Sequence, residues 1–154
     1  MRVRKTVFTV VTLFVGLTMC AAQNPHLGTW KVNEAKSKIT PGTQENLTVT
    51  YEAAGDNIKA TLDGIDAQGK PTHNEWTGKF DGKDYPVTGD PTSDTRAYKK
   101  IDDRTLEVTA KKDGKVTLTA RIVISADGKT RNLTTHSTDS SGKKIVNTAV
   151  YDKQ

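Results

Sequence analysis

The stretch Leu106-Glu-Val-Thr-Ala-Lys-Lys-Asp-Gly-Lys-Val-Thr-Leu-Thr-Ala-Arg-Ile-Val-Ile124 decides the fold. Before Asp113, the apolar Leu106, Val108 and Ala110 alternate with Glu107 and Thr109. After Gly114, Val116, Leu118, Ala120, Ile122 and Ile124 form a second alternating row. A period of two gives each run one apolar face and one wet face, as in a half-buried strand. Asp113-Gly114 between them suits the positive φ of a tight hairpin turn, so the second strand folds back along the first.

The same grammar extends outward. Residues 46–53 alternate through Leu47, Val49 and Tyr51, and residues 57–63 through Ile58, Ala60 and Leu62. Turn signals stand at Ala54-Gly-Asp56, Gln68-Gly-Lys70, Asp81-Gly-Lys83, Asp127-Gly-Lys129 and Ser141-Gly-Lys143. The turn glycines are spaced by 13 or 14 residues except for one gap of 32 between Gly82 and Gly114. Asp102-Asp103-Arg104 fills that gap as a hairpin without glycine. About ten short strands in meander order follow, with no substantial helix and with 20 threonines after residue 22 to favour extended backbone. Ten such strands could stack as a sandwich or close into a barrel. Closure removes both exposed edges and tolerates a thin core, so an all-β, up-and-down antiparallel β-barrel is expected.

Residues 1–22 stand apart from this pattern. Arg2, Arg4 and Lys5 precede an apolar run from Val7 to Met19, and Cys20-Ala-Ala22 offers small residues for signal-peptidase cleavage. The run is shorter than the ~20 residues a bilayer crossing needs. Cleavage after Ala22 is the first choice, giving a signal peptide (1–22) and a single domain (23–154). The competing reading acylates Cys20, since Leu17-Thr-Met-Cys20 resembles a lipobox, although Met19 is unusual there. Either way the protein is expected to be exported, periplasmic or secreted. The only cysteine lies in this leader, so the domain would be stable without a disulfide.

Three of the 23 basic residues also belong to the leader, leaving 20 basic against 18 acidic side chains. A near-balanced exported domain is a poor partner for nucleic acid, and Lys99-Lys100 and Lys111-Lys112 read as solvated or edge-protecting lysines. No membrane span is expected, and the domain is read as a monomer.

Leu27-Gly-Thr-Trp-Lys-Val32 resembles the N-terminal Gly-x-Trp motif of the calycins, which include the lipocalins and the fatty-acid-binding proteins. Thr148-Ala-Val-Tyr-Asp-Lys153 resembles the closing strand of the latter, and Asp113 to Lys129 one of their later strands and its turn. The whole run is similar to exported bacterial lipocalin-like proteins, through Lys36-Ser-Lys38 and Asp84-Tyr-Pro-Val-Thr-Gly89 as well. The resemblance implies a calycin barrel with Trp30 as a structural plug at one end. It also implies that Arg121 and Tyr151 occupy two positions of the carboxylate clamp of fatty-acid-binding proteins, while Ala149 replaces its other arginine. The helical lid of that family has no room in Glu34 to Gln44.

The alternation of residues 116–124 puts Arg121 on the wet face, against the clamp position, and both orientations stay open. Tyr51, Trp76, Phe80 and Tyr98 are the other large surfaces, read as cavity lining or as plain core. His73, Glu75 and His136 have the residue types of a two-histidine, one-carboxylate metal site, but alternation on a solvated face gives the same spacing, and no metal is assigned. There is no nucleophile elbow, phosphate loop or other cofactor motif. An enzyme is therefore not expected. Two readings remain: an exported barrel holding a small apolar or amphipathic molecule, and a cell-envelope scaffold with no internal ligand. An apolar cavity of at least ~300 Å³ separates the first from the second.

Overall fold

The computed structural model describes residues 23–154. The leader read over residues 1–22, including Cys20, lies outside the described residues.

Ten strands follow one another: β1 (Gly28–Val32), β2 (Glu45–Ala54), β3 (Asn57–Ile65), β4 (Pro71–Gly78), β5 (Tyr85–Thr88), β6 (Thr95–Asp102), β7 (Thr105–Lys112), β8 (Lys115–Ile124), β9 (Thr130–Thr138) and β10 (Lys144–Lys153). Each pairs antiparallel with its neighbour in sequence, and β10 pairs with β1 to close the barrel. The expected closed meander is therefore what forms, with one 3-10 turn, Glu34–Lys36, as the helical element among the described residues. The closing register sets Trp30 opposite Lys153 and Val32 opposite Tyr151.

The hairpins carry the expected turn chemistry. Asp113 (φ 50°) and Gly114 (φ 75°) both take positive φ, the geometry whose twist matches the flanking strands. At the disguised turn, Asp102 Oδ1 accepts a 2.8 Å bond from the Arg104 amide, so an aspartate side chain replaces the glycine.

Two bulges correct the sequence pattern. Between Asn46 and Thr48 an extra residue in β2 shifts the register, and Asn46 takes the inner position that simple alternation gives Leu47. Gly64 faces this bulge across the ladder; a Cβ there would run into the Glu45 carbonyl oxygen. A second register shift, after Ala110, places Thr117 on the inner lining and leaves Val116 56% exposed. Bulges change which face a side chain meets, and alternation alone cannot register the inserted residue.

The core is concentrated toward one end. Trp30, fully buried, donates its indole N–H to the His26 carbonyl at 3.0 Å, and Lys153 Nζ lies 5.0 Å from its ring centroid. Beside it Trp76 packs against Tyr98, with ring centroids 4.5 Å apart, and Phe80 stands near His26, Tyr51, Trp76 and Tyr98. Edge and tilted ring packing of this kind fills space densely and adds ~1 kcal/mol per pair beyond burial.

Candidate functional site: a cavity with a buried arginine floor

The rest of the barrel is hollow. A cavity of about 450 Å³ occupies its other half. An apolar belt of Leu62, Val108, Leu118, Ala120, Ile122 and Leu133 surrounds it, while Thr117, Ser137, Thr138 and Asn147 stand toward the open end. The connection from Ser37 to Gln44 runs alongside β10 toward that end as a strap. Lys38 bridges to Thr148, and Asn147 accepts from the Thr40 amide at 2.9 Å and donates to Thr43 Oγ1 at 3.2 Å. Ile39 on the strap lines the cavity. The segment thus completes the wall beside β10.

Arg131 lies at the inner limit of the cavity. It follows the turn into β9, pairs with Ile124 and Tyr151 on the adjacent strands, and shares its strand face with Leu133, Thr135 and Ser137. Its residue exposure is 2%. One guanidinium nitrogen donates to the Tyr51 hydroxyl at 3.3 Å, whereas Nε and Nη1 have no partner among the described residues. Two aromatic faces hold the group: Cζ is 4.7 Å from the Tyr151 ring centroid and 5.7 Å from that of Tyr51. Burial pushes both phenols up, so neither supplies a negative charge at neutral pH. Tyr151 is fixed in turn by its hydroxyl, which donates to the Asn46 carbonyl at 2.9 Å.

A second buried arginine is compensated. Arg96 Nη2 meets Asp90 Oδ2 at 3.0 Å and lies 3.4 Å from the buried Asn74 Oδ1. The Arg96 carbonyl accepts the Trp76 indole N–H at 2.8 Å, tying the aromatic floor to the same strand. Burying an unpaired charge is costly, and of the two arginines only Arg131 lacks a carboxylate.

The sequence-derived site divides accordingly. Tyr98 and Tyr151 line the cavity. Tyr51, Trp76 and Phe80 are not among the lining residues and belong to the packed floor beyond it, where Phe80 packs against Tyr51, Trp76, Tyr98 and His26. Arg121, carried over from the clamp, is outside the barrel: its side chain is 54% exposed and reaches Glu107 at 3.4 Å. The apolar neighbours Ala120 and Ile122 face inward, so alternation forces Arg121 outward. His73 lies on the outer face against Asp63, 2.6 Å away, while the exposed His136 belongs to β9, five strands from β4 in either direction.

Arg96 and Arg131 escaped the sequence reading. The signal was present in the alternation: Arg96 is two residues before inward Tyr98, and Arg131 two before inward Leu133. A charge count alone places both at the surface, where arginine normally belongs.

No protein-family model matches the chain, and no curated protein matches it. Among solved structures it is similar to EF1p2_mFAP2b bound to DFHBI, with a TM-score of 0.47 and 12% identity over 84% of this chain and 94% of that one. A redesigned β-barrel, mFAP1, bound to DFHBI gives 0.43 and 16% over 84% and 95%. Lobster apocrustacyanin A1 gives 0.43 and 14% over 86% and 63%. These likenesses concern the barrel alone.

Proposed function

We propose that this protein is an exported, non-catalytic barrel that holds one small amphipathic anion, its apolar body in the cavity and its negative group toward Arg131. One observation carries the reading: a buried guanidinium with two unpartnered nitrogens borders a cavity of about 450 Å³. A desolvated cation without a counter-ion destabilises the empty protein, and an anionic ligand offsets that cost on binding. The apolar belt then contributes through burial of the ligand's body, at roughly 25 cal/mol per Å² removed from water. Cavity volume favours this reading over a scaffold with no internal ligand, whose interior side chains would fill the lumen. Export rests on the leader sequence.

Titration with 1-anilinonaphthalene-8-sulfonate, an amphipathic monoanion, tests the proposal. The unaltered domain should bind one equivalent saturably, Arg131→Met should weaken binding at least about tenfold, and Arg121→Ala should leave it unchanged. Absence of saturable binding by the unaltered domain would leave the scaffold reading standing.

A further inference from the structure

We propose that the cavity selects ligands carrying a single negative charge, because Asp90 neutralises one of its two buried arginines and leaves only Arg131 to receive an anion. This rests on the anion-binding reading and specifies its ligand class.

Asp90 and Arg96 both line the cavity, with side chains 6% and 9% exposed. The carboxylate is a fixed part of the wall. Its Oδ2 accepts from Ser93 Oγ at 2.6 Å and from Arg96 at 3.0 Å; its Oδ1 accepts from the Thr92 amide at 2.9 Å and Thr92 Oγ1 at 2.7 Å. Burial alone would raise its pKa, but the bonds from Ser93 and Thr92 and the Arg96 charge outweigh burial and hold it low. It is therefore ionised at neutral pH. A ligand anion approaching Arg96 would compete with a carboxylate already held by four protein donors.

Arg131 offers the opposite situation: among the described residues Nε and Nη1 have no hydrogen-bond partner and no carboxylate forms a salt bridge with it. One further acid lines the cavity, the half-buried Glu45, which leads into β2 at the open end. Burial, reinforced by the charge of Glu34, raises its pKa. A second negative group on the ligand, projecting toward the opening, would meet Glu45 and find the Arg96 charge already taken by Asp90. In a partly water-excluded cavity such like-charge encounters are weakly screened.

Competition against bound 1-anilinonaphthalene-8-sulfonate at pH 7.5 tests this with two acids of equal chain length, decanoate and decanedioate. In the unaltered domain decanoate should displace the probe at least about tenfold more effectively than decanedioate. Asp90→Asn releases the Arg96 charge and should improve decanedioate about tenfold while changing decanoate far less. Asp90→Asn combined with Arg96→Met removes both charges and should restore discrimination against decanedioate. Thermal unfolding of each variant reports whether the loop has kept its fold; if Asp90→Asn does not fold, the unaltered domain and the double variant decide. Equal displacement by the two acids in the unaltered domain, or no change of ratio in a folded Asp90→Asn, overturns charge selection and leaves anion binding intact. Failure of the probe to bind at all overturns the underlying reading instead.

Discussion

The guanidinium carbon of Arg131 sits 4.7 Å from the ring centroid of Tyr151, so a deeply buried positive charge rests on an aromatic face where a carboxylate would ordinarily be. A desolvated cation–π contact is worth about 2 kcal/mol, less than the several kcal/mol that removing a cation from water costs. The empty barrel therefore carries an electrostatic deficit beside its cavity. That deficit links stability to binding.

Replacing Arg131 with methionine, which keeps an apolar stem of similar length, should stabilise the empty domain by about 1–3 kcal/mol. Calorimetry should record a rise of several degrees in Tm. A lower Tm for the variant would mean that the tyrosine faces and the 3.3 Å bond to Tyr51 fully compensate the charge.

Trp76→Ala should act on folding before it acts on binding. Trp76 is 1% exposed, packs 4.5 Å from Tyr98 and donates to the Arg96 carbonyl, and its removal leaves a large void in the floor. A loss of about 3–5 kcal/mol is expected from urea unfolding. A loss below about 1 kcal/mol would show that the floor collapses onto the vacancy or was loosely packed.

His26 should make the domain sensitive to mild acid. The residue is 2% exposed, and neither ring nitrogen has a partner among the described residues. Burial, followed by the charges of Arg131 and Lys100, lowers its pKa from 6.5 to about 4, with Asp102 opposing and Lys153 adding to the decrease. The unfolded chain therefore takes up this proton at higher pH than the folded one. Stability from the neutral ring is complete above about pH 6.5, declines as pH falls toward 4, and totals roughly 3 kcal/mol. Urea midpoints measured between pH 7 and 4 should fall for the unaltered domain and fall less for His26→Phe. Parallel profiles for the two proteins would assign the acid sensitivity to other groups.

Much of the barrel was legible along the chain because a half-buried strand must alternate and a tight hairpin needs turn residues. Asp113-Gly114 and the glycine-free Asp102-Asp103-Arg104 turn both follow from local chemistry. Legibility failed at Leu47 and Val116, where register shifts alter the inner face; at Arg121 the alternation pointed outward as found, and only the resemblance to a binding clamp pointed inward. From the sequence the aromatic residues Tyr51, Trp76, Phe80 and Tyr98 read as cavity lining or as core, and only Tyr98 lines the cavity. Their division into packed floor and cavity wall depends on which rings meet across the barrel, a relationship between strands far apart in sequence.

By itself the sequence determined the strands, the hairpin turns and the meander order, all governed by interactions within a strand or between consecutive strands. Tertiary structure decided where the interior is full and where it is hollow, and which arginine has a carboxylate. Asp90 reaches Arg96 from a loop six residues upstream, whereas Arg131 meets Tyr151 within the β9–β10 hairpin and Tyr51 only across closure of the barrel. The energetic meaning of a charge depends on its solvent access and its partners. For Arg131 they were completed only when β10 met β1 and brought Tyr51 against it.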